Sequence, residues 1–118
     1  MRFPVLVLMM LWSCIAATGA ERIPVIHCTD LYHPHVDPDD HFDLATMYAL
    51  PQVDLKAVIL DHGATQEKRP GSIPVSQMNK ITGRDVPCAV GLSRNLARPD
   101  DKVLGDEPAH QIGVELIL

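Results

Sequence analysis

Three short runs of β-branched and aliphatic residues alternate along this chain with stretches whose apolar positions recur at helical spacing. Ile23-Pro24-Val25-Ile26-His27-Cys28 reads as a buried strand. After a polar loop, Asp37-Pro38-Asp39-Asp40 has the make-up of a helix start: an N-cap aspartate, proline at the first helical position and acids in the first turn. Phe42, Leu44, Ala45, Met47, Tyr48 and Ala49 then follow the helical period until Pro51 stops it. The second strand is Leu55-Lys56-Ala57-Val58-Ile59-Leu60, ended by Asp61-His62-Gly63-Ala64. A basic loop over residues 66–71 leads to a helix start at Ser72-Ile73-Pro74, and that helix covers residues 75–82 and closes at Gly83. Val86-Pro87-Cys88-Ala89-Val90 is the third strand, ended by Gly91. A polar segment over residues 93–107 precedes a last helix from Pro108, still apolar at Leu116-Ile117-Leu118.

Strand and helix in alternation predict an α/β fold, a Rossmann-like open parallel sheet with flanking helices. Such a sheet needs both faces covered, and three strands with their helices are too few for that. The expectation is therefore an apparently truncated domain, residues 21–118 forming the front part of a larger one. Alone it should be inactive, with an incomplete sheet and exposed apolar surface.

Composition narrows the function classes. The 118 residues are 47% hydrophobic and 21% charged, with a net charge of -5. That balance offers nothing to a polyanion, so no nucleic acid polymer is expected as a partner. Part of the hydrophobicity is not fold. Met1-Arg2 opens an apolar run to Ile15, followed by the small residues Ala16-Ala17-Thr18-Gly19-Ala20. This is the layout of a signal peptide over residues 1–20, and it predicts a secreted or periplasmic product. The run is too short for a stable membrane span. Leu11-Trp12-Ser13-Cys14 has a weak lipobox character, which leaves a lipoprotein as the lesser alternative. With Cys14 removed, Cys28 and Cys88 remain, each in a predicted strand; buried thiols suit them at least as well as a disulfide.

The chemistry concentrates where the first strand gives way to the first helix. Asp30, Asp37, Asp39, Asp40 and Asp43 stand there with His33, His35 and His41. Like charges so crowded repel one another unless a cation, a helix N-terminus or solvent relieves them. Helix capping accounts for Asp37, Asp39 and Asp40 but not for Asp30 or the His33-Pro34-His35 insert. A zinc hydrolase using His33, His35 and Asp37 is one reading, since imidazole favours zinc; the usual signature has histidine where this chain has Pro38. A hard cation held by Asp30, Asp37 and Asp40 is the other, because open α/β sheets bind ligands beyond the carboxyl ends of their strands.

Several pieces resemble a known family when taken in order. Thr29-Asp30 ends a strand and Asp39-Asp40 opens an apolar helix. Leu50-Pro51-Gln52-Val53-Asp54-Leu55-Lys56-Ala57-Val58 follows, then Val86-Pro87-Cys88-Ala89-Val90-Gly91. Together they are similar to the N-terminal third of the inosine/uridine-preferring nucleoside hydrolases, over residues 23–92. The longer loop resembles the version found in secreted, sugar-related members. The resemblance implies hydrolysis of the N-glycosidic bond of ribonucleosides with a Ca²⁺-activated water. It implies Asp30 as calcium ligand and catalytic base, Asp40 as a chelating ligand and Asp39 as the group that binds a ribose hydroxyl. Asp37 is the alternative to Asp30 within the lengthened loop and is counted among the metal ligands. The small-molecule partner would be a nucleoside or ribosyl compound, and self-association into a homo-oligomer is compatible with the family.

One departure is visible: the family places Gly-Asn after its second strand, where this chain has Gly63-Ala64. Asp61 or His62 could take the place of that amide, the alternative to reading them as ordinary strand-end polar groups. Lys68, Arg69, Arg94 and Arg98 read as solvated loop charges, and His27 as a satisfied core histidine. A non-catalytic secreted sugar-binding protein is the alternative from a different class.

Overall fold

The computed structural model describes residues 21–103, 105, 107 and 111–118. The signal-peptide and lipobox readings, together with Pro108 and His110, lie outside those residues. The elements run β1 (Ile23–Thr29), α1 (Asp39–Ala49), β2 (Val53–Leu60), α2 (Gly63–Gln66), α3 (Ser72–Thr82), β3 (Cys88–Val90) and α4 (Ile112–Ile117). All three strands are parallel, in the order β1-β2-β3. The result is an α/β fold with a three-stranded open parallel sheet and flanking helices, the coarse architecture that the alternating pattern predicts. Every parallel pair needs a crossover, which α1 supplies between β1 and β2 and the α2–α3 segment between β2 and β3.

One sheet face builds the core. Leu44 and Tyr48 of α1, Val75 of α3, and Leu55, Val58 and Leu60 of β2 pack with Leu31 and Val86 into one buried cluster. Leu55 and Val58 share this face although they are three positions apart. The register slips between Val25 and Ile26, whose partners are Leu55 and Ala57, so Lys56 is the extra residue of a bulge. Lys56 stays exposed and pairs with Asp54. Ala57, Ile59 and Ala89 point to the opposite face and are buried, with α4 packed against β2 and β3 there. Cover is incomplete at β1, where Ile26 is 41% exposed and Cys28 is also exposed. Apolar exposure among the described residues continues over Ile112 and Ile117 of the last segment.

Local boundaries differ from the sequence expectation in instructive places. α1 begins at Asp39 with Pro38 in the capping position, so Asp37 is not the N-cap; no side chain caps this helix end. Instead the Asp40 amide donates to the Asp39 carboxylate at 2.9 Å. α3 starts at Ser72, where the Ser72-Ile73-Pro74 signal places it, and closes at Gly83 as predicted, with φ of 68°. β3 is trimmed to Cys88–Val90 because the Val86 backbone is engaged by Asn79, which accepts from Val86 N–H at 3.0 Å and donates to its carbonyl at 2.9 Å. α2 was not anticipated from the pattern at all: four residues carry no readable period.

Among the described residues Cys28 and Cys88 are both free. Cys28 pairs with Ile59 and Cys88 with Val58, consecutive residues of β2, so the two thiols project from opposite sheet faces. A bridge between them is excluded by that alternation, and only Cys88 is partly buried. Burial pushes its thiol up to about 11. No helix among the described residues is long and apolar enough to cross a membrane.

Candidate functional site

The carboxyl edge of a parallel sheet gathers the loops that follow each strand, and here the loops after β1 and β2 are cross-linked by polar side chains. Thr29 ends β1 and is buried. Its hydroxyl donates to Asp40 Oδ1 at 2.7 Å and accepts from the Leu31 amide at 3.2 Å. One hydroxyl thereby fastens the first turn of α1 to the end of the strand. Asp30 lies between the two residues so bound, with its side chain exposed. Tyr32 follows; burial and the charge of Asp30 push its phenol above the ordinary range, while Arg69 over its ring and a hydrogen bond to Thr65 oppose them.

The second tie is Gln66 at the end of α2, only 3% exposed. Its carboxamide donates to the Leu31 carbonyl at 3.1 Å and to the Asp61 carbonyl at 3.0 Å, and accepts from the Gly71 amide at 2.8 Å. The Asp61 amide in turn donates to the Thr29 carbonyl at 2.8 Å. Gly71 sits so close that a Cβ there would lie 2.2 Å from the Leu31 carbonyl oxygen. No residue but glycine fits that approach.

The histidine insert is held rather than free. Arg69 donates to the Pro34 carbonyl, so this arginine is not the solvated charge that its loop position predicts. His35 meets His41 edge-on, ring centroids 5.7 Å apart. His41 is held below the usual imidazole range, first by burial and then by the neighbouring His35, with Asp40 acting in the opposite sense. Its Nδ1 is buried without a hydrogen-bond partner. His27 has the same condition at Nε2, so it is not the satisfied core histidine expected for a strand.

Beyond the ends of β2 and β3 lies an open cavity of about 440 Å³, with Asp61, His62, Thr65, Ser93, Arg94 and Asn95 on its wall. The Gly63 amide donates to the Leu92 carbonyl at 3.1 Å and binds the two loops that form it. His62 enters with φ of 57°, a left-handed conformation uncommon for a residue with a side chain. On the far wall Arg94 pairs with Asp101 at 2.9 Å. That carboxyl also accepts from the amides of Ala97 and Val103. Arg98 pairs with Asp100 nearby and both side chains stay exposed, as expected of a solvated loop charge, whereas Arg94 is held by the better-shielded Asp101.

Of the residues expected to act, Asp39 and Asp40 stand together in the first turn of α1, and Asp40 is joined to the strand end that carries Asp30. Asp37 is exposed in the loop before them. The donor chemistry of Asp30, Asp37 and Asp40 is all oxygen and suits a hard cation. No group of three or more His, Cys, Asp or Glu side chains converges on one point among the described residues. His33, His35 and Asp37 share in that lack of convergence, and the neighbour His35 does have is His41. Gln66 and Tyr32 gave no signal in the sequence: a lone glutamine and a lone tyrosine fit no motif.

No family model matches this chain, and neither a curated protein nor a solved structure does.

Proposed function

We propose that the carboxyl edge of this sheet is part of an N-glycosidase site of nucleoside hydrolase type within a Rossmann-like domain, acting on ribonucleosides outside the cytoplasm. The observation that carries the reading is the Thr29–Asp40 hydrogen bond, which ties the helix-start acid Asp40 to the end of a parallel strand, next to Asp30 in sequence. In this reading Asp30 takes a proton from water while the water oxygen bonds to the anomeric carbon. The bond from that carbon to the base nitrogen breaks, and its electron pair leaves with the base. Asp39 accepts a hydrogen bond from a ribose hydroxyl and holds the sugar in place. Ca²⁺, held by Asp30, Asp37 and Asp40, would supply a lowered water pKa and a grip on the sugar diol. Since those three carboxylates do not converge among the described residues, the steps above are assigned to the chain's own groups alone.

Incubation of the protein with a panel of purine and pyrimidine ribonucleosides, with and without Ca²⁺, tests the reading. Release of free base and ribose, lost in Asp30→Asn, supports it. An Asp30→Asn protein as active as the parent removes Asp30 as the base. Binding of ribose without turnover assigns the edge to a sugar-binding protein instead. Dependence on Zn²⁺ that disappears with His33→Ala or His35→Ala assigns it to the zinc class.

A further inference from the structure

Residues 94–103 follow β3 as a segment tied to itself. Asp101 Oδ2 accepts from the Arg94 guanidinium at 2.9 Å and from the Ala97 amide at 3.1 Å, and Oδ1 accepts from the Val103 amide at 2.9 Å. The Asp101 amide donates to the Arg98 carbonyl at 3.0 Å. Among the described residues, the hydrogen bonds and ion pairs of residues 95–103 all join members of this segment. Its two ends, Arg94 and Val103, meet on one carboxylate. That gives the segment the closed outline of an Ω-loop, packed by its own side chains and able to move as one piece.

The chain just before it is pinned. Gly63 N–H donates to the Leu92 carbonyl, and a Cβ on Gly63 would lie 2.9 Å from Ser93 Cα. At the other end Val103 is buried and has φ of 48°. A β-branched side chain avoids that left-handed region, so rotation there relieves strain instead of creating it. Between these points Arg94, Asn95 and Leu96 line the 440 Å³ cavity. Leu96 is 49% exposed, although Ala64 and Leu92 offer it apolar surface on the same cavity. Moving it inward would take apolar surface out of water, which is favourable.

We propose that residues 94–103 are a lid hinged at Ser93 and Val103, which swings as a unit and closes Leu96 down on the cavity. The Asp101 carboxylate keeps the lid in one piece. The hinges absorb the backbone rotation, as a few element-terminal or loop residues do in such closures. A closed lid of this kind shuts out water and holds a small molecule beneath it. The inference stands apart from the N-glycosidase reading, because it needs neither a metal ion nor turnover.

NMR relaxation dispersion on the full chain tests the proposal, since lid motions fall in the μs–ms range that it reads. The expected result is exchange at the amides of Asn95, Leu96, Ala97 and Asp101 described by one rate, with Gly63 and Val58 silent. Asp101→Ala should split that single rate into several. Asp100→Asn, which breaks only an exposed ion pair, should leave it as in the parent. The direction of movement is read with a nitroxide on Ala64→Cys in a Cys28→Ser background, two exposed positions that tolerate the changes. Cys88, with its thiol pushed up to about 11 by burial, escapes labelling near neutrality. Bleaching of the Leu96 amide beyond what its distance in the structure accounts for marks inward closure. Flat dispersion across residues 94–103 overturns the lid. Unrelated rates at the four amides of the parent overturn movement as a unit. A single rate without extra bleaching of Leu96 overturns closure over the cavity, and a single rate that persists in Asp101→Ala removes that carboxylate from its role.

Discussion

Thr29 and Asp40 are joined by a 2.7 Å hydrogen bond although one closes β1 and the other lies in the first turn of α1. Replacing Thr29 by valine keeps the shape and deletes the hydroxyl. The Leu31 amide then loses its acceptor in a buried position. Urea unfolding of Thr29→Val should show a loss of about 1–3 kcal/mol, while Thr29→Ser keeps most of it. Equal midpoints for the valine and serine variants would mean that the hydroxyl has no role in holding this edge.

Two glycines should respond differently to alanine. At Gly71 the new methyl would sit 2.2 Å from the Leu31 carbonyl oxygen, a backbone atom with no freedom to withdraw. Gly83 has φ of 68° but open space around its Cβ position. Gly83→Ala should cost about 1–2 kcal/mol from backbone conformation alone. Gly71→Ala should cost at least about 3 kcal/mol, since it displaces the loop that Gln66 anchors. Thermal melts that rank the two the other way would contradict the close approach.

The thiols should be separable by alkylation. Cys28 is exposed, whereas burial pushes Cys88 up to about 11 and leaves little thiolate near neutrality. At pH 8 iodoacetamide should label Cys28 within minutes, and Cys88 only after unfolding. Peptide mapping by mass spectrometry reads the sites. A Cys28–Cys88 linked peptide in a non-reducing digest would contradict their placement on opposite faces.

Asp101 gives the loop after β3 a pH dependence. Arg94, then the amides of Val103 and Ala97, hold its carboxyl at about 2 against an ordinary 3.8. A depressed acid contributes stability that is fully present above the unfolded value and is lost as pH falls through the folded one. The ties to Ala97 and Val103 should therefore persist at pH 4 and loosen as pH falls from 3.8 toward 2. Amide shifts of those two residues, followed by NMR, report it directly. Asp101→Asn should produce the same shifts at neutral pH, and a flat titration between those limits would remove the carboxylate from this role.

The order of elements was legible because it rests on local chemistry. β-branched runs, proline stops and the glycine after α3 act over a few residues, and β1, α1, β2, α3 and β3 all occur where those signals stand. Ends were less legible. Asp37 has the right chemistry for an N-cap, yet the helix begins after Pro38 and the Asp39 carboxylate takes the Asp40 amide instead. The acidic loop at the strand end was equally visible, since carboxylate crowding needs no tertiary information to be noticed.

What the chain alone determined, then, is a strand–helix alternation and the concentration of acids after its first strand, because period, caps and breakers are properties of neighbouring residues. Which groups meet was decided by the tertiary structure. Gln66 reaches Leu31 across 35 positions, and Arg69 reaches Pro34 across the same interval. The bulge at Lys56 chooses which side chains of β2 enter the core, and the β2 register sends Cys28 and Cys88 to opposite faces. Each of these depends on how parallel strands slide past one another, a quantity that no window of sequence contains, because it is set by packing across the sheet.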